Sequence, residues 1–284
     1  MRIIVDSGSD LTLEEISRHK LDFLPMAVAI GEHNYKDQFE IDNQTVYDAI
    51  NNGKRPMTSQ VSIEQMTELF TEIAENHEQA IYYAFSSGLS GTYQSAVMVK
   101  AQICEQYPDL DLEIIDSHSA SSGLGMQILD IVKMRDDGFS KDDIVHRIHE
   151  MHERIVHLFT VEDLNYLAKG GRLSRGQAFL GSLVNIKPLL HVEEGKLVPI
   201  GKYRGKKKVF NEMAAQIKND RQNLTATRIF ISHSNDMKGA EQLLAIIEKE
   251  CGPVHHVIKE LGPTISSHTG QGTIALYYYK EDIS

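Results

Sequence analysis

The segment from Ser86 to Thr92 concentrates the residue types that bind an anion. It reads SSGLSGT, it follows an apolar run that ends at Phe85, and it precedes a segment with a helical pattern. Gly88 and Gly91 allow a tight turn close to a ligand, while Ser90 and the first amides of the helix can donate hydrogen bonds. The segment therefore predicts a carboxylate or phosphate site. A turn that only caps the following helix explains the same residues.

Two further groups of polar residues lie where chemistry is possible. Thr58 and Ser59 follow Pro56 and precede a helical pattern, so a hydroxyl here caps that helix or contributes to the same anion site. Asp6 and Asp10 follow the first apolar run, where two carboxylates could bind a metal ion. Because a third ligand is missing, we interpret both as turn residues that accept hydrogen bonds from backbone amides, and we predict no metal site.

Basic side chains and a histidine could complete an anion site. Arg172 follows a pair of glycines, which would end a helix and hold the guanidinium in a fixed direction. The run 202–208, which includes Arg204, is the one concentrated basic segment, and it suits a phosphate, an acidic partner or a solvated helix start. His268 lies in a glycine-flanked loop, where it could donate to a carboxylate or act as acid or base. Position alone does not single it out among the 13 histidines.

Alternating apolar runs and helical patterns in the first half of the chain must position these side chains. Strand-like runs at 3–5, 23–30, 80–85 and 112–115 are separated by helical patterns such as 63–75 and 93–105. This order predicts an α/β domain with a mainly parallel sheet. Three of the runs end in small polar residues, and ligands bind at that edge of an open parallel sheet.

The style of the sequence changes near Ile155, where we expect a second domain to begin. Elements predicted beyond that point are strands at 155–160, 193–200, 228–232 and 273–279 and helices at 206–218 and 237–251. We therefore divide the chain into an N-terminal domain, 1–154, and a C-terminal domain, 155–284.

Composition and charge exclude several classes of protein. The chain has 284 residues, 41% of them hydrophobic, and its 29 Lys and Arg against 40 Asp and Glu give a formal net charge of -11. We therefore expect no nucleic acid partner. Cys104 and Cys251 have no His or Cys at metal-ligand spacing, the first residues do not resemble a signal peptide, and no apolar run approaches the length of a membrane span. We expect a cytoplasmic protein with at most transient membrane contact.

Seven motifs occur in an order and rough spacing that resembles the DegV family, over nearly the whole chain. They are DSGSD, RPMTSQ, SSGLSGTYQSA, IIDSHSASSGLG, LNYLAKGGRLS, IKPLL with the following KYRGKKK, and GPTISSHTGQG. The resemblance implies an α/β fold with an N-terminal parallel-sheet α/β/α domain and a C-terminal mixed-sheet α/β domain. It also implies one bound long-chain fatty acid in a buried cavity and no other cofactor.

The resemblance further assigns roles by motif position. Thr58 and Ser90 would hydrogen-bond the carboxylate, and His268 would complete the head-group site. Their neighbours complete the predicted ligand-binding set: Ser59, Gly91 and Thr269. Arg172 and Arg204 would line the approach and contact a phosphate or a partner. Apart from the motifs, apolar residues of segments 23–30, 159–167 and 179–190 are candidates for part of the tail cavity, and core packing explains them equally well.

Family members in bacteria with a fatty acid kinase present the bound acid to the kinase catalytic subunit, which phosphorylates the carboxylate for phospholipid synthesis. On this resemblance the chain would be a lipid carrier subunit and no enzyme. The last loop departs from the family, since Gln271 stands where Pro is more usual, and this could loosen the loop or add a polar contact.

The main rival is a Ser/His hydrolase or acyltransferase acting on a lipid ester. Ser90 would be the nucleophile, His268 the base and Asp116 the orienting carboxylate. However, SSGLSGT lacks the G-x-S-x-G pattern of a nucleophile elbow. Missing nucleotide motifs argue against a phosphotransferase, and the acidic net charge argues against a DNA-binding regulator.

Overall fold

The computed structural model describes residues 1–174, 186–221 and 228–280. The strands are β1 (Arg2–Asp6), β2 (Asp22–Leu24), β3 (Ala27–Ile30), β4 (His33–Lys36), β5 (Met57–Ser59), β6 (Ala80–Ala84), β7 (Leu112–Asp116), β8 (Ile155–Thr160), β9 (Ile186–Glu193), β10 (Lys196–Arg204), β11 (Arg228–His233), β12 (His255–Glu260) and β13 (Ile274–Tyr279). The helices are α1 (Leu13–Arg18), α2 (Asn43–Asn51), α3 (Ile63–Glu75), α4 (Thr92–Gln106), α5 (Ser121–Asp136), α6 (Lys141–Arg154), α7 (Leu164–Lys169), α8 (Lys206–Asp220), α9 (Met237–Cys251) and α10 (Pro263–Thr269).

The first half of the chain builds a four-stranded parallel sheet with the strand order β2-β1-β6-β7. Its central strand β6 reads AIYYA and is buried at every position, as expected for a parallel strand covered on both faces. The outer helices follow the apolar periodicity: α3 begins after the N-cap Ser62 and buries Met66, Phe70 and Ile73. The predicted parallel-sheet α/β architecture is confirmed.

The second half builds a six-stranded mixed sheet in the order β10-β9-β8-β13-β11-β12. Only β11 and β12 pair in parallel, and the other neighbours pair antiparallel. Helices α8 and α9 cover one face with buried residues such as Phe210 and Leu243. The predicted mixed sheet is confirmed. Because α6 ends at Arg154 and β8 begins at Ile155, we propose 1–154 and 155–284 as the two domains.

Three local predictions from the sequence are wrong. The apolar run 23–30 is two strands in different sheets, because Pro25 lacks the amide hydrogen that a continuous strand would use; β3 instead forms a small antiparallel sheet in the order β4-β3-β5. The run 193–200 spans the end of β9, a two-residue turn and most of β10. Glu194 and Gly195 both have positive φ, the geometry of a type I′ hairpin turn.

The third correction concerns the glycine-flanked segment 262–272, which contains the helix α10 rather than a plain loop. Pro263 occupies the first helical position, where its missing N–H costs nothing, and Gly270 ends the helix with positive φ. His268 therefore lies in the last turn of a helix.

A buried carboxylate joins the two halves of the molecule. Asp10 accepts a hydrogen bond from the Gly262 amide, 2.9 Å away, and a short one from Ser121 Oγ at the start of α5. Ser121 Oγ in turn accepts from the Tyr277 hydroxyl of β13 at 2.9 Å. Asp10 is 4% exposed, and this burial raises the pKa of its carboxyl to about 7. One side chain thus ties α5, α10 and β13 together.

We expect Asp10→Asn to change how stability depends on pH. Since the folded pKa lies above the unfolded one, the contribution of Asp10 is full at low pH and is lost as pH rises through about 7. Between pH 5.5 and 8 the wild-type free energy of unfolding should fall by about 2 kcal/mol relative to the variant. Urea unfolding at both pH values measures this, with Asp109→Asn on the surface as control; parallel pH profiles for wild type and Asp10→Asn would refute it.

Candidate ligand-binding site

An elongated cavity lies between the carboxyl edge of the parallel sheet and one face of the mixed sheet. Its volume is about 240 Å³, whereas a cavity that holds one water molecule needs only about 10–15 Å³. Most of its wall is apolar and comes from both halves of the chain: Met26, Phe85, Leu89, Phe159, Val192, Leu197, Leu261, Ile265 and Ala275. Such a wall favours an apolar ligand of substantial length.

A hydroxyl and an imidazole form the polar end of the cavity. Thr58 Oγ1 of β5 and His268 Nε2 of α10 are 2.6 Å apart, and both residues line the cavity. The Tyr166 hydroxyl donates to the Ser267 carbonyl at 2.9 Å and holds this end of α10 in place. When Nε2–H of the neutral imidazole donates to Thr58 Oγ1, the Thr58 hydroxyl keeps its own proton to donate to a carboxylate.

His268 is neutral at physiological pH. Burial, together with the smaller effect of the positive charges of Arg172 and Arg55, lowers the pKa of its imidazole to about 4. Arg55 lies with its guanidinium carbon 5.3 Å from the centroid of the Tyr166 ring and donates to the Tyr166 carbonyl. A neutral imidazole beside two guanidinium groups favours an anionic ligand, which the arginines attract.

Arg172 also lines the cavity, where two backbone carbonyls hold its guanidinium. Gly171, with φ of 76°, ends α7 in the left-handed conformation and turns the chain so that Arg172 points back. Its Nη1 donates to the Gly170 carbonyl at 2.6 Å and its Nε to the Leu89 carbonyl at 3.2 Å, and the side chain lines the cavity. The prediction of a guanidinium held in one direction thus matches its place in the structure.

The other residues of the predicted ligand-binding set also line this end. They are Ser59, Ser90, Gly91 and Thr269. Ser90 Oγ lies 2.9 Å from Thr92 Oγ1, and this contact holds the Ser90 hydroxyl at the N-terminus of α4. Gln60, which the sequence analysis passed over, lines the same end and donates to Ser95 Oγ at 2.7 Å.

Arg204 is not among the residues that line the cavity, and its expected contact with a phosphate or a partner stays a prediction. It is exposed at the end of β10, whereas cavity residue Leu197 lies at the beginning of that strand. Lys206 in the same basic run forms ion pairs with Asp236 and Glu162. The basic run thus contains an exposed arginine and a lysine held in ion pairs. Of the tail segments, Met26 and Phe159 line the cavity, and 179–185 lies outside the described residues.

The groups of the rival hydrolase are not assembled. Ser90 bonds Thr92 and His268 bonds Thr58, while the Asp116 carboxylate accepts from the backbone amides of Ser87 and His118. Asp116 therefore does not orient His268. A Ser-His-Asp relay needs these hydrogen bonds to run in sequence.

The N-terminal aspartates accept hydrogen bonds from the protein. Asp6 accepts from the amides of Gly8 and Phe85 and from the Tyr82 hydroxyl, and Asp10 accepts from Gly262 and Ser121. In the three described ranges, no group of three His, Cys, Asp or Glu side chains could hold a metal ion. In the same ranges no helix has both the length and the apolar character to cross a membrane.

Five further polar residues line the cavity, and sequence reasoning gave them no role. They are Ser121, His157, Thr264, Thr273 and Tyr277. Ser121 stands in a motif that supported the family resemblance, and Thr264 stands one helical turn before His268. No pattern in the sequence distinguishes a polar residue that faces a cavity from one that faces a neighbouring strand.

The fold and site define a class: a two-sheet α/β protein that encloses a mainly apolar cavity with one polar end. A model of the DegV family of uncharacterised proteins matches residues 1–281. The chain belongs to the DegV family, as the motif order in the sequence predicts.

Relatives and solved structures agree over nearly the full length. The DegV domain-containing protein YteA of Lactococcus lactis is 37% identical over 279 residues, 97% of this chain and 96% of the relative. A DegV domain-containing protein of Streptococcus pyogenes is 36% identical over 278 residues, again 97% and 96% of the two chains. Among solved structures, a DegV family protein of Thermus thermophilus, described for fatty acid binding, has a TM-score of 0.89 at 30% identity, covering 98% of this chain and 99% of its own.

A fatty acid binding DegV family protein of Streptococcus agalactiae has a TM-score of 0.88 at 28% identity, covering 99% of both chains. Relatives in this family therefore bind fatty acids, and the fold that holds them is the fold of this chain.

We expect Arg172→Gln to raise the pKa of His268 above about 4, because a positive charge that disfavours the imidazolium is removed. A pH titration of the histidine side-chain resonances by NMR, with His268→Gln to assign the signal, measures the change. Arg204→Gln is the matched control, since Arg204 lies outside the cavity lining. Equal His268 titration curves in wild type and Arg172→Gln would contradict the electrostatic argument.

Proposed function

We propose that this chain binds one long-chain fatty acid in the cavity, with its carboxylate at the polar end. The observation that carries the proposal is the pairing of Thr58 and His268 at one end of an otherwise largely apolar cavity. The hydroxyls of Thr58 and Ser90 donate to the carboxylate, the His268 imidazole orients the Thr58 hydroxyl through their hydrogen bond, and Ser59, Gly91 and Thr269 border the carboxylate. No other cofactor is required for binding.

Affinity and orientation come from different parts of the ligand. Burial of the alkyl tail contributes about 0.8 kcal/mol per CH₂ group. Enclosing a carboxylate without hydrogen-bond partners would weaken the binding free energy by several kcal/mol. The hydrogen-bonding pair of Thr58 and His268 makes the enclosure possible. Fatty acid binding by the Thermus thermophilus and Streptococcus agalactiae relatives supports this assignment.

We further propose that the bound acid is presented to a partner, the catalytic subunit of a fatty acid kinase, which phosphorylates the carboxylate and feeds phospholipid synthesis. The chain itself then acts as a cytoplasmic carrier and no enzyme. Arg172 at the cavity end would contact the new phosphate, since a guanidinium binds phosphate oxygens in pairs. Arg204 is exposed and free to contact the kinase surface.

We expect Ala275→Phe to abolish long-chain fatty acid binding. Ala275 is 3% exposed and lines the apolar wall, so a phenyl ring at this position would fill part of the cavity in which the alkyl tail is proposed to lie. Calorimetric titration of delipidated protein with hexadecanoic and octadecanoic acid measures binding, and mass spectrometry of an organic extract identifies any lipid that copurifies. Ala101→Phe, on the exposed face of α4, is the control and should bind as wild type does. A wild-type protein that binds neither acid would remove the proposed function.

We expect Arg204→Ala to leave fatty acid binding unchanged and to lower acyl-phosphate formation by a fatty acid kinase severalfold, because a charge on a protein contact surface changes docking more than tail burial. Production of acyl-phosphate from ATP, at several concentrations of the carrier, measures the effect. Lys54→Ala, another exposed basic residue, is the control. Identical rates for wild type and Arg204→Ala would exclude Arg204 from the partner contact.

A further inference from the structure

We propose that Arg55 selects the ionised form of the ligand, so that the cavity binds a long-chain carboxylate in preference to a neutral molecule with the same alkyl tail. This inference rests on the proposed function and adds a residue to its recognition of the head group. Arg55 is not among the residues that line the cavity, and it acts through the positive charge that the fold holds beside His268.

Arg55 is anchored on Tyr166 of the helix α7. Its Nη2 donates to the Tyr166 carbonyl at 3.2 Å, and its guanidinium carbon lies 5.3 Å from the centroid of the Tyr166 ring. Pro56 restricts the backbone of Arg55 to extended conformations. The Tyr166 hydroxyl donates to the Ser267 carbonyl at 2.9 Å, so a single side chain contacts both Arg55 and the helix α10. A guanidinium that bonds and stacks on one residue is held in one orientation.

The anchored guanidinium lies close to the His268 imidazole. A Cβ atom added to Gly170 would lie 3.1 Å from His268 Nδ1 and 3.7 Å from Arg55 Nη2, so these two nitrogens are less than about 7 Å apart, within one Debye length. The other ring nitrogen of His268, Nε2, is 2.6 Å from Thr58 Oγ1. The charge of Arg55 therefore acts on the end of the cavity where the carboxylate is proposed to lie.

Neither guanidinium beside His268 forms an ion pair with a carboxylate of the described residues. Arg55 and Arg172 bond backbone carbonyls there. Elsewhere in this acidic chain, partly buried cations do form ion pairs: Arg2 with three carboxylates and Lys259 with Glu15. Within the described part of the chain, the polar end of the cavity thus carries positive charge without an acidic partner. A bound carboxylate would supply the opposite charge.

Stabilisation of the end of α7 accounts for the bond to Tyr166 but not for this charge. The Gly170 amide donates to the Leu167 carbonyl rather than to Tyr166, so Arg55 supplies a donor to a carbonyl at the end of the helix. A neutral donor of similar reach would do the same. A charge differs because it stabilises a carboxylate strongly and an alcohol hardly at all. A comparison of these two ligands therefore separates recognition of the head group from structural support.

The test compares hexadecanoic acid with hexadecan-1-ol, which has the same tail and no charge, in competition for the delipidated protein. In Arg55→Gln we expect the Kd of the acid to rise about tenfold and the Kd of the alcohol to stay within about twofold. Arg55→Met is a second neutral variant and should behave alike. Arg55→Lys should keep most of the preference for the acid, because it keeps the charge. Lys54→Gln, at the exposed neighbouring position, is the control and should bind both ligands as wild type does.

The His268 imidazole gives a second readout. Its pKa of about 4 should rise in Arg55→Gln and Arg55→Met, because a positive charge that disfavours the imidazolium is removed, and should stay close to the wild-type value in Arg55→Lys. NMR titration of the histidine resonances in the ligand-free protein measures the change.

Two results would overturn the inference, provided that thermal denaturation shows the variants to be folded. One is a ratio of acid to alcohol affinity in Arg55→Gln and Arg55→Met that equals the wild-type ratio, whether both affinities are unchanged or fall together. The other is a preference lost as completely in Arg55→Lys as in Arg55→Gln, since the charge would then not be its cause. In either case, tight binding of hexadecanoic acid by the wild type would leave the proposed function standing. Failure of the wild type to bind the acid would instead remove the proposed function.

Discussion

The buried carboxylate of Asp10 is the interaction on which the cavity depends. It adopts the left-handed backbone conformation with φ of 52°, which Asp tolerates better than most residues, and from there bonds α10 and α5. Through Ser121 the same network reaches Tyr277 of β13. The helix that carries His268 and the strand that lines the cavity are therefore fixed by a single side chain. This group is costly to bury, so the geometry is retained only while its hydrogen bonds are complete.

In this geometry the wall and the polar end of the cavity have different roles. The wall consists of aliphatic and aromatic side chains from both sheets and gives affinity without direction. Direction comes from Thr58 and His268, which lie on elements of different halves, β5 and α10, and meet only because the two halves are docked. Burial and, to a smaller extent, two guanidinium groups keep the imidazole neutral. The affinity for a ligand and its orientation are therefore determined by different parts of the cavity.

The sequence predicts this fold well where the signal is periodic and poorly where a turn decides the outcome. Helices α3 and α9 have the bounds that their apolar spacing predicts, because each buries one continuous face. The run 23–30 was misread because Pro25 was not weighed against the hydrophobic pattern. Helix α10 was missed although Pro263 at its first position signals a helix start. The motif order drew Thr58, Ser90 and His268 into one predicted site, but it could not place Arg204, whose position depends on where β10 ends.

Some of the polar residues that line the cavity could not be identified from the sequence, for a physical reason. Tyr277, Ser121 and Thr264 belong to three elements that are far apart along the chain, and each alone is compatible with an ordinary buried polar residue. Asp10 brings these elements together around one cavity. A polar group is informative only through what it faces, and each of these residues lines space that a ligand would occupy.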